Sequence, residues 1–260
     1  MQGKNFSSIV LISIFFLSSF MGMAQQNQAD KMGRKQGKWV KYQDGVKLYE
    51  GQFIDGYPNG TFLRYYKSGR LKSKTIFSQQ GKRSLAEFYY DNRHQQIKAK
   101  GLYVNKAKDS LWLLYAEDGV LISEENYKKG IPNGLWKLYD YRGVLVKETP
   151  YKEGKINGQQ KEYFDNAQVK RLMNFKMDTI SGNFKVYYPS GEIYTNGYFV
   201  NGLQDSLWSY YLTGNKLWFT ETYEDGELLK RVDPSGKAYE VPQEQDTVKL
   251  DIDPSEIDIK

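Results

Sequence analysis

The chain contains no cysteine and a single histidine, His94. Without cysteine there is no disulfide framework, so stability has to come from packing. One imidazole and no thiolate cannot assemble a zinc site. A nucleophile needs a base beside it, and His94 lies between Arg93 and Gln95 in a loop-like stretch, where it reads as a surface residue. No catalytic residue, cofactor site or metal site is therefore assigned, and the chain is expected not to be an enzyme. Asp44, Asp118, Asp140 and Asp165 fall near equivalent loops, and turn formation explains them better than a calcium ladder does. Nothing singles out a pair of carboxylates for glycoside hydrolysis.

Proline is also scarce, at seven residues, whereas the chain holds 22 Tyr, 13 Phe, 5 Trp and 24 Gly. Rings pack well on a pleated surface and glycine supplies the positive φ of tight hairpins, so this composition favours strands over long helices. The formal charge is +6 over 260 residues, unevenly spread. Residues 240–260 hold seven acids against Lys249 and Lys260, which leaves a strongly basic body. Such a body can meet anionic surfaces, but Lys and Arg are scattered, which disfavours nucleic acid as a partner.

Residues 1–24 form a separate segment: Lys4, an apolar stretch from Ile9 to Met21, and Gly22-Met23-Ala24 before Gln25. This pattern predicts a signal peptide cleaved between Ala24 and Gln25, and hence export to the periplasm or the medium. The apolar stretch is short for a membrane span, whose core needs ~20 residues. The rest divides into a lead-in (25–36), a repeat region (37–232) and an acidic tail (233–260) expected to be disordered.

The repeat region is defined by the pattern small-x-aromatic-x-x-Tyr. It begins with Gly37/Trp39/Tyr42 and Gly60/Phe62/Tyr65, and recurs as Ser84/Tyr89, Ser110/Trp112/Tyr115, Gly134/Trp136/Tyr139, Gly158/Tyr163, Gly182/Phe184/Tyr187 and Ser206/Trp208/Tyr211. A turn follows each Tyr, marked by Gly45, Gly69, Gly119, Gly143, Gly191 and Gly214, with Arg93 and Ala167 in the two degenerate copies. A second segment then carries an aliphatic residue and, six positions on, a ring, as in Leu71/Phe77 and Leu121/Tyr127. Six is an even interval, which places both side chains on one face of a strand. The expectation is all-β: an elongated meander of about eight stacked β-hairpins, two strands per repeat, because a lone hairpin cannot bury its rings. In the first strand the ring and the Tyr are three apart, on opposite faces. Ala86 and Gln160 replace the ring in copies three and six and interrupt the stack there. Asp109-Ser-Leu-Trp112 and Asp205-Ser-Leu-Trp208 are identical, and duplication of a packing unit accounts for them.

Gly134-Leu-Trp136-Lys-Leu-Tyr139, Tyr151-Lys-Glu-Gly154 and their copies resemble the MORN-repeat variant family of bacterial proteins over roughly residues 34–232. The resemblance implies stacked hairpins with roles in scaffolding, protein contact or membrane association, and some members are antitoxin-like. The leading functional expectation is an exported repeat scaffold. Its aromatic, basic ribbon would hold an unidentified protein or envelope component. A polymer-binding module for anionic lipid or cell-wall glycan is the alternative, and neutralisation of a partner protein a third reading.

Overall fold

The computed structural model describes residues 26–239, and the cleavage site and residues 240–260 lie outside it. Among the described residues there is no helix, and 21 strands form one open antiparallel sheet in which each strand pairs with its neighbours in sequence. The sixteen strands of eight hairpins run from Lys35–Gln43 to Lys216–Glu224. Two of them are split at Asn133 and Asn157, and Gln28–Ala29, Glu227–Val232 and Ala238–Tyr239 extend the two ends. The order thus reaches past residue 233, since Asp233 turns the chain and Ala238–Tyr239 returns along Arg231 and Val232.

Both kinds of turn are built from left-handed residues. The second turn of each repeat is mostly a two-residue connection with positive φ at both positions, as at Asp55-Gly56, Lys129-Gly130 and Asp225-Gly226. Such a turn matches the twist of the flanking strands. The first turn ends on Gly69, Gly119, Gly143 or Gly191, and Ala167 takes the same left-handed role at φ 64. In copy three that role falls to Gln95 at φ 51, not to Arg93. The loop there is two residues longer, closing between Tyr90 and Gln96, which displaces the left-handed position.

Every hairpin carries a bulge at one place. Arg64 pairs with Ser73 and Tyr65 with Leu71, so Lys72 is extra; Leu48, Lys98, Ile122, Val146, Lys170, Tyr194 and Trp218 are extra at the equivalent points. The first strand runs through unbroken, so its ring and its Tyr do point to opposite faces. The second strand changes parity, and the even-interval argument fails there. Phe77 lies on the ring face against Phe62, at 5.3 Å between centroids, while Leu71 pairs with Tyr65 on the other. A second irregularity separates successive hairpins at the small residue, which holds positive φ in seven of eight copies, Ser110 and Ser206 included. Bulges increase local twist, so two rows of them curl the single sheet around its ring face.

That curl buries the rings without a second layer. Trp112 and Trp208 are 1% and 0% exposed, because each lies flat on a glycine of the preceding strand. A Cβ on Gly101 would stand 2.3 Å from the Trp112 ring, and one on Gly197 2.1 Å from Trp208. The Gly101→Ala and Gly197→Ala variants are therefore expected to lose about 1–3 kcal/mol by overpacking and ring displacement. Urea unfolding of each variant beside the parent checks this, and near-parental stability would show that the rings do not need the bare backbone.

Candidate functional site

Trp39, Phe62, Trp112, Trp136, Phe184 and Trp208 make one column on the ring face, and Tyr42, Tyr65, Tyr115, Tyr139, Tyr187 and Tyr211 make another on the opposite face. The ring column is continuous within blocks. Trp39, Phe53, Phe62 and Phe77 form one chain of contacts, and Tyr127, Trp136 and Tyr151 another. Phe184, Phe199, Trp208 and Tyr223 form a third, with Phe184 to Phe199 at 5.4 Å. Ala86 and Gln160 are 1% and 3% exposed, and among the described residues no ring contact crosses either. Gln160 instead gives a hydrogen bond from Nε2 to Thr149 Oγ1 at 3.3 Å. Lys108 joins two rings that do not touch, its Nζ lying 4.7 Å from the Trp112 centroid and 4.6 Å from Tyr127.

The opposite face is a row of phenol–carboxylate bonds. Tyr65, Tyr139 and Tyr163 donate to Glu50, Glu124 and Glu148 in the preceding hairpin, at 2.6, 2.8 and 2.9 Å, while Tyr89 donates to Glu87 of its own strand. Burial first, and the carboxylate second, pushes each of these four phenols up to about 12. The hydroxyl of Tyr65 in turn holds the Glu50 carboxyl below its ordinary range.

A further tyrosine escaped the sequence pattern. The residue after the signature Tyr returns to the ring face, and there Tyr66, Tyr90 and Tyr188 donate to the carbonyls of Tyr89, Tyr115 and Tyr211 in the next repeat, at 2.6, 2.9 and 2.8 Å. A Tyr recurring one place after the signature Tyr was the available signal. Repeats four and five have Ala116 and Asp140 at this position, and repeat six has Gln160 in the ring column. Those three missing rings open a groove of about 420 Å³, floored by half-buried Trp136 and lined by Leu114, Ile122, Leu138, Tyr151 and Ile156. Glu125 and Lys147 also reach it, Glu125 already accepting from Tyr127 at 2.7 Å and Lys147 paired with Glu162 at 3.3 Å. A smaller groove of about 320 Å³ lies against Trp112, with Lys72, Lys98 and Lys108 on its walls.

Neither groove holds a catalytic arrangement. His94 sits on the long first turn of copy three, its Nε2 accepting from Arg93 Nε at 3.2 Å. No group of three potential metal ligands occurs among the described residues. Asp140 caps its own turn, accepting from the Arg142 and Val144 amides at 2.8 and 2.9 Å, as the turn-forming reading expected. Ser110 and Ser206 hold left-handed φ values of 58 and 63 and donate to Asp109 and Asp205, which makes the repeated tetrapeptide a kink within the strand just before the tryptophan.

These features define a single-sheet protein of stacked β-hairpin repeats. Two adjacent repeats, residues 108–129 and 132–153, match the family described as the MORN repeat variant, and the same register runs on through the neighbouring hairpins. No match to a curated protein was found.

The raised phenols fix a pH dependence. An unfolded tyrosine ionises near pH 10, so between pH 10 and 12 the folded sheet retains protons that the unfolded chain has lost. Stability from the Tyr65, Tyr89, Tyr139 and Tyr163 row is full below pH 10 and falls as pH rises through 12. Urea midpoints measured from pH 8 to 12 should decline over that window, less steeply in a variant with Phe at the four sites. Equal slopes for parent and variant would mean that the row titrates like free tyrosine.

Proposed function

We propose that the protein is a non-enzymatic repeat scaffold that holds a partner protein in the groove over Trp136. The observation that carries this reading is the opening of the ring face at repeats four to six. On that face Trp112 and Trp208 are covered by their own neighbours, whereas Leu138 is 44% exposed beside half-buried Trp136. An apolar or aromatic side chain from a partner would complete the interrupted ring column, and such central anchors dominate interface energetics. The flanking Lys147, Glu125 and Gln160 supply polar contacts at the margin, as a protein interface requires. The segment 1–24 supports export, and in that setting the partner is an envelope or extracellular protein.

The smaller groove favours a second reading, because three lysines surround its rings: Lys72, Lys98 and Lys108. An anionic lipid headgroup or acidic glycan would suit it, and its binding would weaken steeply with salt. Partner capture from envelope extract distinguishes the two. Leu138→Asp should lose the captured protein by about tenfold at constant salt, while Leu85→Asp, on the opposite face, should retain it. Equal retention by both variants sinks the groove as the site, and loss of all capture at high salt with both variants supports the lysine-walled groove instead.

A further inference from the structure

The two long edges of the sheet differ in charge. Along one edge run the first turns, where cations and anions are paired across repeats, as in Arg70 with Asp91 at 3.3 Å and Arg142 with Asp165 at 2.8 Å. The second turns run along the other edge, and from repeats two to six they carry Lys82, Arg83, Lys106, Lys128, Lys129, Lys152, Lys155 and Lys176, all exposed. Among the described residues these eight side chains make no ion pair, and the acids beside them are Glu153, Asp178 and Asp109, whose carboxylate accepts from the Lys129 amide. The turns are also held in register. The amides of Asn105, Gly130, Gly154 and Asp178 each donate to a carbonyl of the preceding turn region: Lys82, Lys108, Pro132 and Ile156, at 2.6 to 2.8 Å. With two strands per repeat the cations recur about every 9–10 Å along a straight row. Lysines aligned and unpaired in this way repel one another, at a cost that an anionic occupant would remove.

We propose that the acidic segment 240–260 of the same chain lies along this basic edge and neutralises it. Three observations point to that occupant. The segment carries Glu240, Glu244, Asp246, Asp251, Asp253, Glu256 and Asp258 against two lysines, which is close to the excess of positive charge on the row. The direction of the chain also fits: Glu227–Val232 runs toward the first-turn edge, Asp233 reverses it, and Ala238–Tyr239 is headed back toward the second-turn edge. The reach suffices as well, since 21 extended residues span about 70 Å, while the turns of repeats six to four lie about 20–50 Å from the last strand. The turn of repeat eight, with Glu224, Asp225 and Glu227, repels the segment locally and directs it onward to the lysines. This inference concerns a different part of the sheet from the groove over Trp136 and stands or falls separately.

Zero-length carbodiimide cross-linking tests it on the chain from residue 25 to 260, which keeps the whole sheet and the acidic segment. An equal mixture of 14N- and 15N-labelled protein separates links within a chain from links between chains. At low salt, same-isotope links from the segment to Lys128, Lys129, Lys152, Lys155 and Lys176 should exceed those to Lys67, Lys161 and Lys185 by about fivefold or more. They should fall by a similar factor at 1 M salt, where the screening length is about 3 Å. In a Lys129→Glu, Lys152→Glu variant the links to the untouched Lys128, Lys155 and Lys176 should also drop several-fold. Links spread evenly over the lysines, insensitivity to salt or to the two charge reversals, or an absence of links would each overturn the proposal. Mixed-isotope links would assign the segment to a neighbouring molecule and overturn it equally.

Discussion

A sheet one layer thick has no second layer to cover its hydrophobic face, and the whole molecule depends on how it overcomes that. The answer is the flat seat of a ring on bare backbone. Trp112 over Gly101 and Trp208 over Gly197 remove an indole from water using the bare backbone of the adjacent strand and the rings beside it. Each such contact combines apolar burial with an edge-to-face ring pair, the latter worth about 0.5–1.5 kcal/mol beyond the area removed from water. It works only in a curled sheet, which is why the bulges are as regular as the rings. The bulged residue adds a side chain to the inner face, as Tyr194 does between Tyr188 and Tyr210, while the left-handed small residue bends the strand on the other side.

Strand identity, repeat length and the two faces of the first strand could be read from the chain, because each depends on local periodicity and turn chemistry. The parity change at Lys72 and its equivalents could not. A bulge residue here is Leu, Lys, Ile, Val, Tyr or Trp, so no residue type marks the position, and its presence shows only once the pairing partner is known. For the same reason Gln95 rather than Arg93 closes the third hairpin, since counting from Tyr89 assumes a loop length that the sequence does not state. The covering glycines were visible as residues but not as seats, because the ring they meet lies about eleven positions downstream.

The groove over Trp136 presents the converse case, in which the informative signal was a loss. Copies three and six stood out as departures from the pattern, and copy six is where the face opens. Copy three, by contrast, borders only the smaller groove, because Phe88, two residues beyond Ala86, stacks near Trp112 at 6.3 Å and narrows the gap. One missing ring is thus tolerated when a neighbour on the same strand replaces it. Three missing together, at Ala116, Asp140 and Gln160, are not.

The hydrogen bonds between repeats run in two opposed directions, and this gives the array a head and a tail. Tyr66, Tyr90 and Tyr188 reach forward to the following hairpin on the ring face, while Tyr65, Tyr139 and Tyr163 reach backward to the preceding one on the other face. Cutting the array between hairpins therefore leaves unlike wounds, with donors stranded on the upstream piece on the ring face and on the downstream piece on the other. The two natural ends are closed by unlike means: a short strand and the Asp30 carboxylate at the beginning, and Arg231 clamped on buried Glu221 at the finish. An interior repeat transplanted to either end would bring neither closure, so the order of the hairpins is part of the fold and cannot be permuted freely.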